Sequence, residues 1–241
     1  MSDAAPVTCR YRFAFSDGTE QAFTAELDPA TLTLVQPPKT SYPHWTKLSH
    51  HQCPNCPLKE ADSPQCPAAV SLIGLVQDMS RATSYDEADI TIESDARRYE
   101  KRTSVQRGVS SLTGLYMATS GCPVMGKLRP MVRHHLPFAT VEETEYRVLS
   151  MYLLAQYLIA KRGGTPDWEL KHLRTLYEDI REVNRAFSKR LSAIPAEDAN
   201  LNAIVILDTF ADSITFSIDK QLLDELEALF RPYLAPIQKS P

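Results

Sequence analysis

Residues 8–27, TCRYRFAFSDGTEQAFTAEL, carry the clearest structural pattern of the 241-residue chain. Apolar side chains alternate with Arg10 and Arg12, which is the period of a strand with one buried face. Asp17-Gly18 supplies a turn, and the alternation resumes after it. The pattern predicts an antiparallel hairpin in which Cys9 is a small core residue. Its buried face is predicted to comprise Cys9, Tyr11, Phe13, Phe15, Phe23, Ala25 and Leu27.

Further elements are predicted on either side of an irregular stretch. Residues 32–35 predict a short third strand, which Pro37-Pro38 ends. Residues 42–67 are rich in Pro, His, Cys and Ser and show no apolar period, so we predict a long Cys-rich loop. A helix is then predicted from Pro67, followed by strands at ADITIES (88–94) and RRYEKRTS (97–104).

Helical patterns dominate the second half of the chain. Residues 105–121 predict a helix closed by Gly121. Thr140-Val141-Glu142-Glu143 is a capping box, which predicts a helix to about residue 162. The predicted apolar face of that helix is Tyr146, Leu149, Leu153, Tyr157 and Ala160. Thr165-Pro166-Asp167 predicts the start of a further helix that ends near Ser192, and two more helices are predicted within 200–218 and 220–234.

These elements predict an α+β protein: an N-terminal β-hairpin or small antiparallel sheet with a Cys-rich metal loop, followed by a helical C-terminal part. We expect a β-rich part at 1–104, with the loop at 42–67 and one helix, and a helical part at 105–241 with at least four helices. One continuous domain is the alternative.

Composition and charge restrict the class of protein. Hydrophobic residues make up 43% of the chain and charged residues 23%, and the net charge is -4. These values are ordinary for globular proteins, and a nucleic-acid partner is not expected. The start MSDAAPVTCRYRF lacks a basic segment followed by an apolar one, and no apolar run has the length of a membrane span. We therefore expect a cytoplasmic protein without a membrane partner.

The cysteines are the strongest functional signal. Cys53, Cys56 and Cys66 have the spacing C-x2-C-x9-C, and Cys122 lies further along the chain. Each of the four is followed by proline, whereas Cys9 is not. Four thiolates are a tetrahedral ligand set, so we predict that these cysteines bind a metal. Cys66 and Cys122 each precede a predicted helix, whose positive end favours a thiolate.

The identity of the metal stays open at this level. Structural zinc is the commoner use of four scattered cysteines, and we favour it narrowly. Pro57 lacks the N–H that zinc knuckles offer to sulfur, and the Cys-Pro pairs suit the apolar surroundings of a 4Fe-4S cluster, which is the alternative. Four histidines are substitute ligands if one thiol is out of reach: His50, His51, His134 and His135.

A second signal is charge. Eight Lys or Arg residues lie between Arg97 and Arg133, against one acid, Glu100. We favour a solvated surface that pairs with acids of the C-terminal part, and an anionic ligand is the alternative. The C-terminal acids considered are Asp208, Asp212, Asp219, Asp224, Glu225 and Glu227.

The prediction for function is a metal-binding protein with a structural or regulatory role and a helical surface that binds a protein partner or a second copy. No catalytic residue is predicted, because no nucleophile and base are paired in a motif. One alternative is an iron–sulfur redox or gas sensor with the same ligands. Another is a thiol-dependent enzyme with Cys122 as nucleophile and His134 or His135 as base.

The stretch TSGCPVMGKLRPMVRHHLPFAT (119–140), with the EETEYRVLSMYLLAQY helix (142–157), resembles a family of uncharacterised bacterial proteins. The resemblance covers the middle third of the chain and brings no assigned activity. It implies a bacterial, cytoplasmic origin.

Overall fold

The structure is a computed structural model that describes residues 5–83, 85–194, 202–205, 207–208, 211 and 221–234. A four-stranded antiparallel sheet has the order β2-β1-β3-β4. Its strands are β1 (Val7–Phe15), β2 (Glu20–Leu27), β3 (Glu87–Ser94) and β4 (Arg98–Ser104). The helices are α1 (Pro67–Ser71), α2 (Ile73–Asp78), α3 (Val105–Thr119), α4 (Arg129–Arg133), α5 (Val141–Lys161), α6 (Lys171–Ser192) and α7 (Gln221–Leu234). The α+β prediction, a small sheet followed by helices, is confirmed.

The hairpin prediction is confirmed in detail. Cys9 pairs with Ala25 on one side and with Ser94 on the other, so β1 lies in the middle of the sheet. Tyr11 and Phe13 are buried, whereas Arg10 and Arg12 on the opposite face are exposed. The period of two in the sequence therefore reports a sheet with one face covered.

Helix α3 covers that face. A Cβ at Gly108 would lie 2.6 Å from both Ile90 Cδ1 and Phe13 Cε1, so helix and sheet approach each other too closely for any larger residue. The buried apolar residues form one cluster that runs from the strands through α3 to α5 and α6. No finding tests the predicted division at residues 104 and 105, which stays a prediction.

Two local predictions about the connections were wrong. Residues 32–35 form no strand: Leu34 makes a single bridge with Leu27, and the Leu34 N–H donates to the Thr119 carbonyl. The Asp28 side chain accepts bonds from the next turn, and Leu32 adopts a φ of 54°, so the chain bends where a strand would continue. The helix predicted from Pro67 is interrupted at Leu72 and forms α1 and α2.

The capping box of α5 is present, but the predicted face of this helix was wrong. Thr140 Oγ1 accepts from the Glu143 N–H at 3.1 Å, and the Glu143 carboxylate accepts from the Thr140 N–H at 2.8 Å. Of the predicted face only Leu149 is buried, and Tyr146, Leu153 and Tyr157 are 40–49% exposed. Helix α5 carries two apolar stripes, and the stripe around Leu149 packs against the core. The buried residues are Glu145, Val148, Leu149, Tyr152 and Gln156.

Helix α6 begins later than predicted, at Lys171. Asp167 ties the preceding segment to α5, because its carboxylate accepts from the Tyr152 hydroxyl at 2.7 Å and from the His172 N–H at 2.7 Å. Leu170 at a φ of 59° then turns the chain into the helix. Helix α7 matches the predicted helix within 220–234, whereas most of the one predicted within 200–218 lies outside the described residues.

None of the described helices is both long enough and apolar enough to span a bilayer.

Candidate functional site

The Cys-rich loop, residues 42–67, is closed at its base by backbone and side-chain bonds. The Cys66 N–H donates to the Thr46 carbonyl at 2.8 Å, and the Leu48 N–H donates to the Pro64 carbonyl at 2.9 Å. Thr46 Oγ1 also donates to Gln65 Oε1 at 2.7 Å. These bonds hold the two ends of the loop side by side, with a short 3-10 helix at His44–Thr46 and an isolated bridge between Lys47 and Gln65.

The tip of the loop is attached to α6. Within the C-x2-C turn the Cys56 N–H donates to the Cys53 carbonyl at 3.0 Å. Asn55, between the two cysteines, donates through Nδ2 to both the backbone carbonyl and the carboxylate of Asp179, each at 3.0 Å. The first two predicted ligands are thus held against a helix that lies more than 100 residues further along the chain.

Arg190, also on α6, is the most unusual residue of this region. Its long, positively charged side chain is buried, and only 1% of the residue surface is exposed. Its Nη1 donates to the Lys47 carbonyl at 2.8 Å and to the Trp45 carbonyl. Within the described part of the chain no carboxylate pairs with it. Burial lowers the pKa of Arg190, and the charges of the Cys66, Cys53 and Cys56 thiols oppose that effect.

The four predicted ligands lie close enough to influence one another's ionisation. Burial raises the pKa of Cys53 to about 12, and the charges of Cys66, Cys122 and Cys56 raise it further in that order, while the charge of Arg190 lowers it. The charge of Cys56 raises the pKa of both Cys66 and Cys122, and the charge of Cys66 also raises the pKa of Cys122. The four thiols therefore lie within the range of one another's charges, although Cys122 is far away in sequence.

Cys66 and Cys122 lie next to N–H groups of the turns that follow them, as predicted, but the pKa of each thiol is raised and not lowered. Cys66 is the N-cap of α1, and the Ala69 and Ala68 N–H groups lower its pKa. The Met125 and Val124 N–H groups do the same for Cys122. Burial is the larger effect at both residues, so each thiol pKa is raised and the proton is retained at neutral pH.

Cys9 stands apart from this group. Burial raises the pKa of Cys9 to about 12, and the charge of Cys9 raises the pKa values of Tyr11 and Tyr116. All five cysteines are free of disulfide bonds. In this arrangement, no group of three or more His, Cys, Asp or Glu side chains in the described part of the chain is positioned so that it could hold a metal ion.

The four candidate histidines fall into two places. His50 lies 5.0 Å from His44 and 4.7 Å from His51, measured between ring centroids. Burial lowers the pKa of His50, and the charges of His51, Arg190 and His44 lower it further. This histidine group therefore adjoins the cysteines through Arg190.

His134 and His135 lie after α4. His135 Nε2 contacts the Tyr11 hydroxyl and lies 3.4 Å from Ser111 Oγ. No described hydrogen bond joins either histidine to Cys122, and His135 is bonded to Tyr11 instead.

The sequence prediction missed Arg190, Asn55 and Asp179. For Arg190 a signal was present: Val183, Phe187 and Arg190 follow the i, i+4, i+7 spacing of one helix face, and the two apolar members are buried. A cation in an apolar stripe indicates a buried partner. The partners of Asn55 have no sequence signal, because the contacts join residues 124 positions apart.

Two arginines of the cationic stretch form ion pairs within the sheet. Arg98 pairs with Glu93 at 3.3 Å and with Glu100, and Arg102 lies 3.4 Å from Glu87 and 3.5 Å from Asp89. Charge pairing is present on this surface, with acids of β3 and β4 and with Asp179 of α6, which lies 3.9 Å from Lys127. Of the C-terminal acids considered, Asp212, Asp219 and the side chains of Asp224 and Glu225 lie outside the described residues, so pairing with the C-terminal part stays a prediction.

Comparison with known families gives one match, to a family described as a domain of unknown function, DUF6901, which extends over residues 9–231. The chain belongs to this family. The predicted resemblance to an uncharacterised family is confirmed, and the match extends well beyond the middle third. No curated protein and no solved structure matches the chain.

Proposed function

We propose that Cys53, Cys56, Cys66 and Cys122 bind one zinc ion, and that this ion fastens the Cys-rich loop to α1 and to the end of α3. The observation that carries the proposal is the buried guanidinium of Arg190, which lies within electrostatic range of the Cys66, Cys53 and Cys56 thiols and has no carboxylate partner in the described part of the chain. A buried cation is costly unless an anion compensates it. Zinc with four thiolates is such an anion, because the thiolates outnumber the charges of the ion.

Binding requires a rearrangement of the thiols. Protonated thiols have no reason to converge, and none of the described side chains form a ready ion site. A change between staggered χ1 rotamers moves a sulfur by roughly 3 Å while the backbone stays in place. The ion would displace the thiol protons and draw the sulfurs inward, so that metal binding and ordering of the loop become one equilibrium.

Two features support a structural rather than a catalytic centre. The proposed ligand set is complete with four cysteines, which leaves no open position for substrate. The ligands also come from separate elements: the loop, the start of α1 and the turn after α3. A centre of this kind stabilises the contact between those elements and, on its loss, releases the loop, which is also the physical basis for a regulatory role.

Metal content measured on protein purified without oxygen, together with an absorption spectrum, tests the proposal. We expect about one zinc per chain and a colourless sample. Cys122→Ser is expected to lose zinc, and Cys9→Ala, which removes a thiol outside the group, is expected to keep it. A brown sample with iron and sulfide would replace zinc with a 4Fe-4S cluster, and protein without metal would overturn the centre altogether.

The proton balance gives a second test. The pKa values of Cys53, Cys66 and Cys122 are raised, so these thiols release their protons only when the ion binds. With at least three protons released, the zinc affinity falls by about 10³ for each unit of decrease in pH. Competition with a chromophoric chelator between pH 8 and pH 6 measures that slope. A slope near zero would contradict thiolate ligation by these residues.

We also infer that α5 supplies the partner-binding surface, with a second copy of the chain as the partner. Four neighbouring apolar residues, Leu153, Leu154, Tyr157 and Leu158, are 40–59% exposed, and exposed apolar patches of this kind mark interfaces. Light scattering over a concentration series is expected to show association that Leu154→Glu weakens. Ala155→Glu, an exposed position on the flank of the same helix, is the control.

A further inference from the structure

A cavity of about 100 Å³ lies beside the start of β1, far from the Asp17-Gly18 turn, between the sheet and residues 132–135. It is separate from the four cysteines of the proposed metal centre, none of which lines it. Its residues come from all four strands or the turns between them, from α3 and from residues 132–135. The cavity is therefore formed only when sheet and helices have packed.

The floor of the cavity is apolar and rigid. Cys9, Leu27, Ile92, Leu115 and Val132 line it, and each of them is at most 7% exposed. Strands and helices hold these side chains from three directions. Such a floor favours an aliphatic group and disfavours a fully hydrated ion.

The mouth of the cavity is cationic. Arg97 and Arg133 line it, together with His134 and His135. Neither arginine has a carboxylate within ion-pair distance in the described part of the chain. This contrasts with Arg98, which pairs with Glu93 and Glu100 on the surface of the same sheet. Glu93 and Glu100 are thus paired with Arg98, and the guanidinium groups of Arg97 and Arg133 remain at the opening.

His135 adds a neutral hydrogen-bonding group to this wall. Burial and the charge of Arg147 lower its pKa to about 4, so the ring is uncharged at neutral pH. Its Nε2 is engaged by the Tyr11 hydroxyl, which itself lies 3.0 Å from Ser111 Oγ. If the Tyr11 hydroxyl donates to Nε2, the proton of the ring is on Nδ1, which has no hydrogen-bond partner among the described residues.

We propose that this cavity binds a small carboxylate with a short aliphatic tail, with the tail against Cys9, Ile92 and Leu115 and the carboxylate at Arg97 and Arg133. Guanidinium groups match carboxylates in geometry, and a pair of them at one opening fixes which end of the ligand faces outward. The tail displaces water from apolar surface.

The size of the cavity sets the ligand class. A volume of about 100 Å³ equals about three times the share of one water molecule in the liquid. It accommodates about six non-hydrogen atoms, which is the size of butyrate. A nucleotide or a fatty acid would have to extend beyond the opening. Inorganic phosphate is small enough, but it has no group to place against the apolar floor and loses its hydration there.

Isothermal titration calorimetry on the full chain, with butyrate, acetate and inorganic phosphate as probes, tests the proposal. We expect millimolar binding of butyrate, with acetate at least fivefold weaker because it lacks most of the tail, and phosphate weaker still. Arg97→Gln and Arg133→Gln are each expected to weaken butyrate at least fivefold. Both residues are exposed, so neither change should prevent folding.

Arg98→Gln and Arg102→Gln are the matched controls, because both are exposed arginines of β4 that pair with carboxylates of the sheet. They are expected to change the butyrate affinity less than twofold. Three results would overturn the proposal: no binding of butyrate, equal binding of phosphate and butyrate, or equal weakening by Arg102→Gln and Arg97→Gln. A further readout is the ring-proton NMR signal of His135, assigned by its loss in His135→Gln, which should move with butyrate.

Discussion

The sheet and the Cys-rich loop are stabilised in opposite ways. In the sheet every strand is bonded to its neighbour along its length, and the buried face is a continuous apolar layer under α3. The loop, residues 42–67, has a bonded base but no ladder. Arg190 of α6 holds the base, and the bonds from Asn55 to Asp179 of α6 hold the tip. Regular pairing makes the sheet self-sufficient, whereas the loop depends on a few contacts that join distant parts of the sequence.

That contrast has an energetic consequence. A sheet residue contributes mainly through burial, which is spread over many neighbours. Asn55 of the loop and Arg190 of α6 each contribute through one or two polar contacts, and their loss leaves buried carbonyl groups without a donor. Changes in the sheet should therefore unfold the whole chain, and changes at the loop should act locally and on metal binding.

The largest effect is expected in the sheet. Phe13 is fully buried and contacts α3 at Gly108, so Phe13→Ala should lower the free energy of unfolding by about 4 kcal/mol. Urea denaturation measures this change. Arg12→Ala, at the neighbouring exposed position paired with Glu20, should cost less than about 1 kcal/mol. Equal losses in both variants would contradict the assigned faces of β1.

Arg190→Met should come next, at about 3 kcal/mol, because it leaves the Trp45 and Lys47 carbonyls unpaired in the interior. Hydrogen exchange should accelerate across 44–66 and much less in the strands. Zinc affinity should fall as well, because the compensating charge is gone.

Arg185→Met is the control on the same helix, since Arg185 is exposed and pairs with Glu182. Arg190→Lys should recover part of the zinc affinity but less of the stability, because an ammonium group does not reproduce both bonds of the guanidinium. Uniform acceleration of exchange over the whole chain would remove the distinction between loop and sheet.

The pH dependence of stability should reveal His135, which is bonded to Tyr11 of the sheet. Its pKa is lowered to about 4 in the folded chain and is about 6.5 when unfolded, so protons bind the unfolded state more tightly. The stabilisation is complete above pH 6.5 and is lost as the pH falls towards 4. Allowing for partial exposure of the ring, we expect a loss of about 2 kcal/mol.

Urea denaturation at several pH values between 7 and 4 measures this loss. His135→Gln should remove most of it, whereas His172→Gln, at an exposed position of α6, should leave it unchanged. If His135→Gln has the same pH profile as the wild type, groups other than His135 cause the acid sensitivity.

Asn55→Ala should have the smallest effect, about 1 kcal/mol, because it removes the bonds to Asp179 at the tip of the loop. The change should be visible as faster hydrogen exchange at 52–58 and as weaker zinc binding, with little change in the urea midpoint. Gln52→Ala is the control, because Gln52 bonds only within the loop, to the Leu58 carbonyl. Identical results for the two variants would show that the bond to α6 is not what orders the tip.

Local patterns explain which parts of the fold were predictable. The hairpin follows from alternation, and the start of α5 follows from a capping box whose two bonds join residues three positions apart. The buried side of α5 was mispredicted because the helix has two apolar stripes, and only the arrangement of its neighbours selects one. The start of α6 was mispredicted because Asp167 bonds to Tyr152 of another helix.

For the candidate site, the sequence by itself determined the set of chemical groups: four cysteines with proline after each, and a cationic stretch around Arg97 and Arg133. Only the tertiary structure decided which groups meet. It placed Cys122 and Arg190 within electrostatic range of the loop thiols, and it left Arg97 and Arg133 at a cavity with no carboxylate within ion-pair distance among the described residues. The physical reason is range, because spacing fixes local hydrogen bonds and faces, whereas charge compensation depends on packing between residues more than 100 positions apart.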